Sequence, residues 1–394
     1  MNLNTASMPE FRAYTDGLIA TNRTANLTLT VLKRNWYGGT KPLAGAAVKL
    51  APVHGSCLFG CNLGGFGYPG FDALFKDVFD YATLTTFWCQ MERADGSLNL
   101  DSAVLLAQWC ASNGITVKGH PLIYAYEGVR PKALAGKDIT DTLLWKPFLT
   151  QVVSALKSNV KWWDVVNEPI HFPVNNLVAP HQWVNALDAA ARAVVNEGGP
   201  FLGDGDLAQR LYTTVAGLVA AGHPVHAVGL QAHVWPDGPL NYNLMDAELA
   251  RFAGLNCPTH ITEITVPSAP GPLATDWWTE DRQAEHTERM YRLAFASPKV
   301  GAITAWALAD GDPWRPTAGL VTWDSHGAMR QKPAYGMLRD LLRSWKPSYT
   351  GATNISGAVS FSPMFRGEYV LTVNGAAAGT VTLTANSTQT ITVR

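Results

Sequence analysis

Between residues 53 and 346, short apolar runs alternate with longer segments of helical spacing, and this alternation restricts the possible folds more than any other feature. Eight runs follow one another: Cys57–Gly60, Tyr81–Trp88, Ile115–Tyr124, Lys161–Glu168, Pro200–Gly203, Val225–His233, His260–Val266 and Gly301–Ala309. Strands that alternate with helices pack as a parallel sheet, and eight of them close into a barrel. The pattern therefore predicts an α/β fold, a (β/α)8 TIM barrel over residues 53–346.

The segment before this region has the pattern of exposed strands. Leu27, Leu29 and Val31 alternate with threonines, and a second strand is predicted at Ala46–Leu50 after a turn-rich stretch. We interpret residues 26–52 as a β-hairpin segment. Residues 1–25 are polar and are predicted to form an N-terminal extension along the surface.

Residues 347–394 have few charges and many Thr, Val and Gly, with three runs that alternate at period two. They predict a C-terminal β-module. A few strands alone bury too little surface to be stable. We therefore expect this module to pair with the hairpin at 26–52 into one small accessory β-module.

The composition narrows the range of partners. Hydrophobic residues make up 47% and charged residues 15%, which is typical of a globular chain with a large core. The net charge is −1, with 30 basic and 31 acidic residues, so no basic excess exists to neutralise nucleic acid. No apolar run reaches the roughly 18 residues of a membrane span. The 14 Trp fit either a large core or a sugar-binding cleft, because an indole joins a flat apolar face to a polar N–H.

Two of the eight runs deliver a glutamate where an active site is expected. Active-site residues of a (β/α)8 barrel lie at the carboxyl ends of its strands. The fourth run delivers Asn167 and Glu168 before Pro169, and the seventh delivers Glu263. Their spacing along the chain fits three βα units, which places the two glutamates on opposite sides of the barrel mouth. Two carboxylates that flank a glycosidic bond are the minimum for its hydrolysis, although either alone could be structural, at a helix N-terminus.

The motifs at these strand ends resemble those of glycoside hydrolase family 10. WWDVVNEP, GLQAHVWP, HITEITVP and AWALADGDPWRPTAGLVTWD are similar to its signatures for strands four, six, seven and eight. KGHPLIY and QKPAYGMLRDLL are similar to its third strand and its last helix, and the segment from residue 27 resembles a hairpin that precedes the barrel in some relatives. The similarity covers roughly residues 26–346. Family members are mainly endo-β-1,4-xylanases with retaining chemistry on a (β/α)8 barrel.

The resemblance implies a role for each matching residue. Glu168 would be the acid/base, Glu263 the nucleophile and Asn167 a ligand of the sugar 2-hydroxyl. His233 would orient the nucleophile. The other implied substrate-binding residues are His120, Gln231, Trp306, Trp314 and Tyr124. Each of His120, His233 and Trp306 could instead be an ordinary core residue. The resemblance implies no metal and no organic cofactor.

The chain departs from the family pattern on strand two. The family's Glu-Asn pair and its Lys bind the neighbouring sugar; aligning on Trp88 puts Thr83, Leu84 and Phe87 in their places. Two further departures are Tyr124-Ala125 in place of Trp-His and Ile264-Thr265 in place of Leu-Asp. The reaction centre is therefore expected to be kept, while the binding of more distant sugars is altered.

Three hypotheses follow for the function. The first is a retaining hydrolase of β-1,4-linked xylan or xylo-oligosaccharides, with a bell-shaped pH profile whose acid limb belongs to Glu263 and whose basic limb belongs to Glu168. The second is a retaining glycosidase on another β-glycan, or an exo-acting β-xylosidase. The third is a non-catalytic carbohydrate-binding protein, which would have no need of both glutamates. The partner expected is a polysaccharide or oligosaccharide, and the chain is expected to be monomeric.

The N-terminus has no apolar core, so no signal peptide is visible in it. The substrate class nevertheless leads us to expect a secreted or periplasmic protein.

Overall fold

The computed structural model describes residues 1–234, 240–271, 275–312 and 314–394. The helices are α1 (Met8–Arg23), α2 (Phe71–Val78), α3 (Trp88–Met91), α4 (Asp101–Ser112), α5 (Lys146–Leu156), α6 (Val178–Leu187), α7 (Gly205–Ala220), α8 (Tyr242–Phe252), α9 (Glu280–Ala296) and α10 (Pro333–Ser344). The strands are β1 (Thr24–Arg34), β2 (Thr40–Pro42), β3 (Ala47–Gly55), β4 (Leu58–Asn62), β5 (Tyr81–Thr85), β6 (Thr116–His120), β7 (Val160–Asn167), β8 (Arg192–Glu197), β9 (Ala227–His233), β10 (Thr259–Thr265), β11 (Val300–Ala305), β12 (Val321–Trp323), β13 (Met329–Gln331), β14 (Tyr349–Ala352), β15 (Ala358–Phe365), β16 (Gly367–Val373), β17 (Ala376–Leu383) and β18 (Ser387–Val393).

Strands β4 to β11 form a closed barrel in chain order, with β11 next to β4. Strands β9 and β10 are buried at every position, and β8 is buried at all but its first. Strands covered on both faces do not alternate between apolar and polar residues, which explains the continuous apolar runs in the sequence. The predicted (β/α)8 barrel is confirmed.

The fifth barrel strand is not the run Pro200–Gly203 predicted from the sequence. It is β8, whereas residues 200–203 form a turn before α7. The Asp204 carboxylate caps that helix by accepting a hydrogen bond of 3.0 Å from the Leu207 N–H. Strand β8 has an apolar centre of only three residues between polar ends, and that centre is too short to stand out as a periodic run.

A second set of strands forms two four-stranded sheets. One has the order β15-β1-β18, with β2 paired to β1, and the other has the order β14-β3-β16-β17. The two sheets bury their apolar faces in one core, formed by Ala25, Leu27, Leu29, Val31, Ala46, Val48, Leu50, Val359, Phe361, Met364, Tyr369, Leu371, Val373, Val381 and Leu383. The expected accessory module of N-terminal and C-terminal strands is therefore present, as a sandwich.

The N-terminal segment differs from the prediction in two ways. Strands β1 and β3 do not form a hairpin with each other, because β1 pairs with β2 and β3 pairs with β14 and β16. Each has one apolar face, and placing them in opposite sheets lets both faces enter the same core. Residues 8–23 form helix α1, which buries Phe11, Thr15 and Ile19 at four-residue spacing.

The chain forms two compact units. The barrel unit comprises residues 1–8, 59–294 and 299–338, and the sandwich unit comprises residues 9–58, 295–298 and 339–394. These limits differ from the predicted boundaries after residues 25, 52 and 346. In the described ranges, no helix has both the length and the apolarity to span a bilayer.

Candidate active site

Glu168 occupies a strained position directly after β7. Its φ of 51° is in the left-handed region, which is unusual for a residue with a side chain and unfavourable before a proline. Its N–H donates to the Asn196 carbonyl at 2.7 Å, and its own carbonyl accepts from the Phe172 N–H at 2.7 Å. These two bonds hold the strained backbone and set the direction of the side chain. Strain of this kind is concentrated at functional sites.

The Glu168 carboxyl lies in surroundings that favour its protonated form. Burial raises its pKa, and the negative charges of Glu263 and Glu197 act in the same direction. Two hydrogen bonds oppose them: Gln231 Nε2 donates to Oε1 at 2.9 Å, and the Tyr124 hydroxyl donates to Oε2 at 2.8 Å. The net effect is a raised pKa. Glu168 therefore keeps a proton to higher pH than an exposed glutamate and can act as an acid.

Glu263, on β10, lies in surroundings that favour its charged form. Burial by itself would raise its pKa, but His120, His233 and Lys118 outweigh it and lower the pKa to about 2. His233 Nε2 lies 3.1 Å from one carboxylate oxygen. His120 Nε2 lies 3.9 Å from the other. Glu263 is thus an ionised carboxylate, although it is only 4% exposed to solvent.

Two asparagines connect the glutamates. Asn196 Nδ2 donates to Glu263 Oε1 and to Asn167 Oδ1, both at 2.8 Å. Asn167 Nδ2 in turn lies 3.4 Å from Glu168 Oε1. Thr262 fixes the Asn196 amide by donating to its oxygen. The sequence analysis predicted Asn167 as a site residue but not Asn196. The position of Asn196 near the end of β8 could have identified it, but the sequence analysis placed the fifth strand at residues 200–203.

A buried chain of charges orients His120. Lys118 Nζ lies 2.6 Å from Asp164 Oδ2, and neither side chain is exposed. The same carboxylate oxygen lies 2.7 Å from His120 Nδ1, so the ring directs its Nε2 towards Glu263. Lys118 and Asp164 are part of the quoted motifs, but sequence reasoning gave them no role. Both are charged residues inside apolar strands, where an unpaired charge would be very unfavourable, so the sequence could have indicated that they form a buried ion pair.

His233 lies between Glu263 and Thr265. Its Nδ1 is 3.0 Å from the Thr265 hydroxyl, and its Nε2 faces the carboxylate. Because a carboxylate only accepts, Nε2 must carry the proton of the bond to Glu263. The two contacts fix the direction in which the His233 ring presents Nε2–H to Glu263.

Aromatic rings enclose the two histidines. Trp306 packs against His120 edge to face, with ring centroids 5.3 Å apart. Trp314 packs against His233 in the same way, with ring centroids 4.5 Å apart. Phe87 lies 5.6 Å from His120. The structure therefore joins all the predicted site residues in one contact network: Glu168, Glu263, Asn167, His120, His233, Gln231, Trp306, Trp314 and Tyr124. Three residues of the quoted motifs, Trp235, Pro236 and Pro313, lie outside the described residues.

The strand-two comparison needs a correction. Thr83 and Leu84 pair with Lys118 and Gly119 on β6, below the level of the site residue His120, which pairs with Thr85. The strand ends at Thr85, and the Thr86 hydroxyl donates to the Pro121 carbonyl at 2.9 Å. The residues at the mouth are therefore Thr85 and Thr86, followed by Phe87. Neither threonine has the charge or the reach of a Glu-Asn pair.

Glu168, His171 and Glu197 are the one group of metal-ligating side chains close enough to share an ion in the described part of the chain. His171 Nδ1 lies 2.6 Å from Glu197 Oε1, and the other Glu197 oxygen accepts from the Ile170 N–H at 2.7 Å. The hydrogen bond and charge of Glu197 raise the pKa of His171. Since its oxygens are already engaged, we interpret Glu197 as the partner of a protonated His171 and not as a metal ligand.

The chain is similar to proteins of one family. A family model described as glycosyl hydrolase family 10 matches residues 82–341. The anti-sigma-I factor RsgI6 of Acetivibrio thermocellus is 28% identical over 324 residues, which are 79% of this chain but 40% of that protein. The endo-1,4-beta-xylanase 3 of Hypocrea jecorina is 25% identical over 271 residues, 65% of this chain and 73% of that protein.

Solved structures share the fold. Xylanase 10B from Thermotoga petrophila RKU-1, crystallised in complex with xylobiose, superposes with a TM-score of 0.61 at 21% identity. The match covers 74% of this chain and 95% of that chain. At this identity the likeness establishes the barrel fold.

Proposed function

The chain belongs to glycosyl hydrolase family 10, and from that premise we propose that it cleaves β-1,4-linked xylan or xylo-oligosaccharides by a double displacement with two glutamates. Glu168 is the acid/base and Glu263 is the nucleophile in this proposal. The observation that carries it is the opposite environment of the two side chains: the pKa of Glu168 is raised, and that of Glu263 is lowered to about 2. A pair of carboxyls whose pKa values are pushed apart fits an acid and a nucleophile.

In the first step, a carboxylate oxygen of Glu263 attacks the anomeric carbon, and the bond from that carbon to the glycosidic oxygen breaks. Glu168 gives its proton to the departing oxygen. In the second step, the Glu168 carboxylate takes a proton from water, and the water oxygen displaces Glu263 from the anomeric carbon. The acid is regenerated and the configuration is retained. The chemistry of both steps uses the protein's own groups and water.

The surrounding residues suit this sequence of steps. Asn167 would bond the 2-hydroxyl of the sugar at the cut, a contact that strengthens in the transition state. His120 and His233 hold the nucleophile, and Gln231 and Tyr124 hold the acid/base. Trp306 and Trp314 would offer flat apolar surfaces to the pyranose ring. Xylan is the substrate favoured, because several relatives are endo-1,4-beta-xylanases.

A second candidate is an exo-acting β-xylosidase, or a hydrolase of another β-glycan. Thr85, Thr86 and Phe87 at the mouth favour it, since they replace polar groups expected to hold the next sugar. Phe87 instead packs on His120 and, at 6.4 Å, on Tyr124. Each lost neutral hydrogen bond lowers binding by about 0.5–1.5 kcal/mol.

The test is product analysis after incubation with xylans, mixed-linkage β-glucans and their oligosaccharides. Glu263→Ala should lower the rate by a factor on the order of 10³ or more. Azide supplied to this variant should restore turnover and give the α-glycosyl azide, because the anion enters the space left by the nucleophile. Azide supplied to Glu168→Ala should instead give the β-glycosyl azide, on substrates whose leaving group needs no protonation.

The products separate the candidates. Short oligomers from xylan support the endo-acting reading of the site, whereas release of xylose alone from chain ends supports the exo-acting one. Cleavage confined to another glycan would show that the enzyme is specific for that glycan and not for xylan. If no glycan is cleaved, or if Glu263→Ala cleaves as fast as the parent, the proposal fails.

A further inference from the structure

A second pocket opens in the barrel unit, between the starts of helices α8 and α9. It encloses about 440 Å³, which is in the range of small-molecule sites. Its walls include Asn4, Tyr242, Trp277, Arg282 and His286. None of these residues belongs to the network around Glu168 and Glu263.

One wall of the pocket is held by hydrogen bonds from the N-terminal segment. The Leu3 N–H donates to Asn243 Oδ1 at 2.8 Å, and the Tyr242 N–H donates to Asn4 Oδ1 at 2.7 Å. Arg289 Nη2 donates to the Ala6 carbonyl at 2.8 Å. The N-terminal segment is therefore fixed against α8 and α9, and the pocket is preformed, which lowers the entropy cost of binding.

His286 is a buried residue that lines this pocket. It is 7% exposed, and its Nδ1 lies 2.5 Å from the Tyr242 hydroxyl. Burial lowers the pKa of His286 to about 4, so the ring is neutral at physiological pH. A neutral imidazole has one donor nitrogen and one acceptor nitrogen, so the bond between Nδ1 and the Tyr242 hydroxyl leaves Nε2 with a hydrogen-bonding capacity of its own. No hydrogen bond joins Nε2 to a described group, and a ligand hydroxyl, which can both donate and accept, would satisfy it.

Trp277 and Arg282 complete a surface of mixed polarity. The Trp277 side chain is 37% exposed, and the Arg282 guanidinium lies over its ring at 4.3 Å. Arg282 also donates to the Trp277 carbonyl, but no carboxylate of the described residues pairs with it. An exposed indole beside a guanidinium and an imidazole offers an apolar contact together with several hydrogen-bonding groups.

The pocket lies on the same face of the barrel as the catalytic strand ends. Helix α8 follows β9, which ends at His233, and helix α9 follows β10, which carries Glu263. In a (β/α)8 barrel, the helix after each strand begins on the face where that strand ends. A polysaccharide bound in the cleft could therefore reach this pocket without passing around the barrel.

We propose that this pocket is a second saccharide site, which binds a pyranose unit of the polysaccharide outside the catalytic cleft. The indole of Trp277 stacks on the apolar face of the sugar, Arg282 donates to its hydroxyls, and the His286 ring forms a hydrogen bond with one of them. The site rests on the proposed function for the identity of the glycan. It would hold a long chain near the cleft and raise its effective concentration there.

The test uses the full chain with Glu263→Ala, which prevents turnover, and measures retardation by soluble xylan in native affinity gels. Adding Trp277→Ala or Arg282→Ala should weaken retention roughly three- to tenfold. Trp36→Ala is the matched control, since Trp36 is 95% exposed in the turn between β1 and β2. In the active protein, Trp277→Ala should raise KM for long xylan and leave kcat/KM on an aryl xylobioside within about twofold.

Unchanged retention and unchanged KM in both pocket variants, with thermal unfolding like that of the parent, would refute the second site while leaving the proposed function intact. A variant that unfolds early is replaced by the other, because Trp277 and Arg282 are tested separately. If the parent cleaves no xylan, the proposed function fails instead. The gel assay with the β-glucans then tests the second saccharide site independently of catalysis. Equal retention of parent and variants on every glycan would refute that site.

Discussion

Glu168 and Glu263 are identical side chains that the barrel places in opposite surroundings. Glu168 receives two hydrogen bonds but lies near two other carboxylates, whereas Glu263 is surrounded by two histidines and an asparagine amide. At a pH between their pKa values, one holds a proton and the other is charged. This division of states is what a retaining hydrolysis requires.

The Tyr124 hydroxyl is predicted to set the alkaline limit of activity. It donates to Glu168 and favours the carboxylate, so Tyr124→Phe should raise the pKa of Glu168 further. The acid then stays protonated to higher pH, and the alkaline limb of kcat/KM should move up by roughly one pH unit. The measurement is the rate profile from about pH 4 to about pH 10.

Tyr126→Phe is the matched control for this change. Tyr126 packs against Tyr124 with ring centroids 5.6 Å apart, but it gives no hydrogen bond to Glu168. Its variant should leave the limb in place. An equal shift in both variants would mean that the alkaline limb responds to the loss of either hydroxyl from this aromatic cluster, and not to the hydrogen bond from Tyr124 to Glu168.

At the scale of strands and helices, the polar residues at the strand ends could be predicted from the sequence. The side chains to which they form hydrogen bonds could not. Glu168 and Glu263 end or interrupt long apolar runs, so the barrel rule finds them. Asn196 was not predicted, because β8 has an apolar centre of only three residues and was not recognised as a strand. Hydrogen bonds across neighbouring strands, such as Asn196 on β8 with Asn167 on β7, depend on register, which the sequence alone does not specify.

The pair Lys118–Asp164 between β6 and β7 is predicted to be essential for stability. Asp164→Asn removes the carboxylate and leaves the fully buried Lys118 ammonium without its ion-pair partner. Breaking a buried pair in this way costs about 3–5 kcal/mol of unfolding free energy. The His120 ring would also lose its acceptor, so kcat should fall. Urea unfolding and steady-state kinetics measure the two effects.

Asp72→Asn on α2 is the corresponding surface control. Asp72 is 55% exposed and pairs with Lys76 at 3.9 Å, in high dielectric. Its loss should cost less than about 1 kcal/mol. A similar small effect for Asp164→Asn would show that the buried lysine finds another partner, and the structural role given to Asp164 would be wrong.

At the scale of the whole molecule, the two ends of the chain fold together. Strand β1, near the N-terminus, pairs in parallel with β18, the last strand, and antiparallel with β15. The family match at residues 82–341 lies between these ends. The period-two patterns predicted the strands, but not which would pair, since each had only one apolar face and several possible neighbours. Pairing at such sequence separation is slow, because a long loop must close first.

The core of the sandwich unit is predicted to depend on Leu371 in β16. This side chain is fully buried among strands from both ends of the chain. Leu371→Ala removes apolar contacts and leaves a cavity, at a cost of about 2–5 kcal/mol. Hydrogen exchange with mass spectrometry should show faster exchange in peptides from both β1 and β16.

Its neighbour Val370 is the natural control, because it points to the other face of β16 and is 39% exposed. Val370→Ala should change the unfolding free energy by less than about 1 kcal/mol and leave exchange in β1 as it is. If Leu371→Ala speeds exchange in β16 but not in β1, the apolar core does not couple the two ends of the chain. In that case the backbone pairing of β1 with β15 and β18 must hold the N-terminal strand by itself.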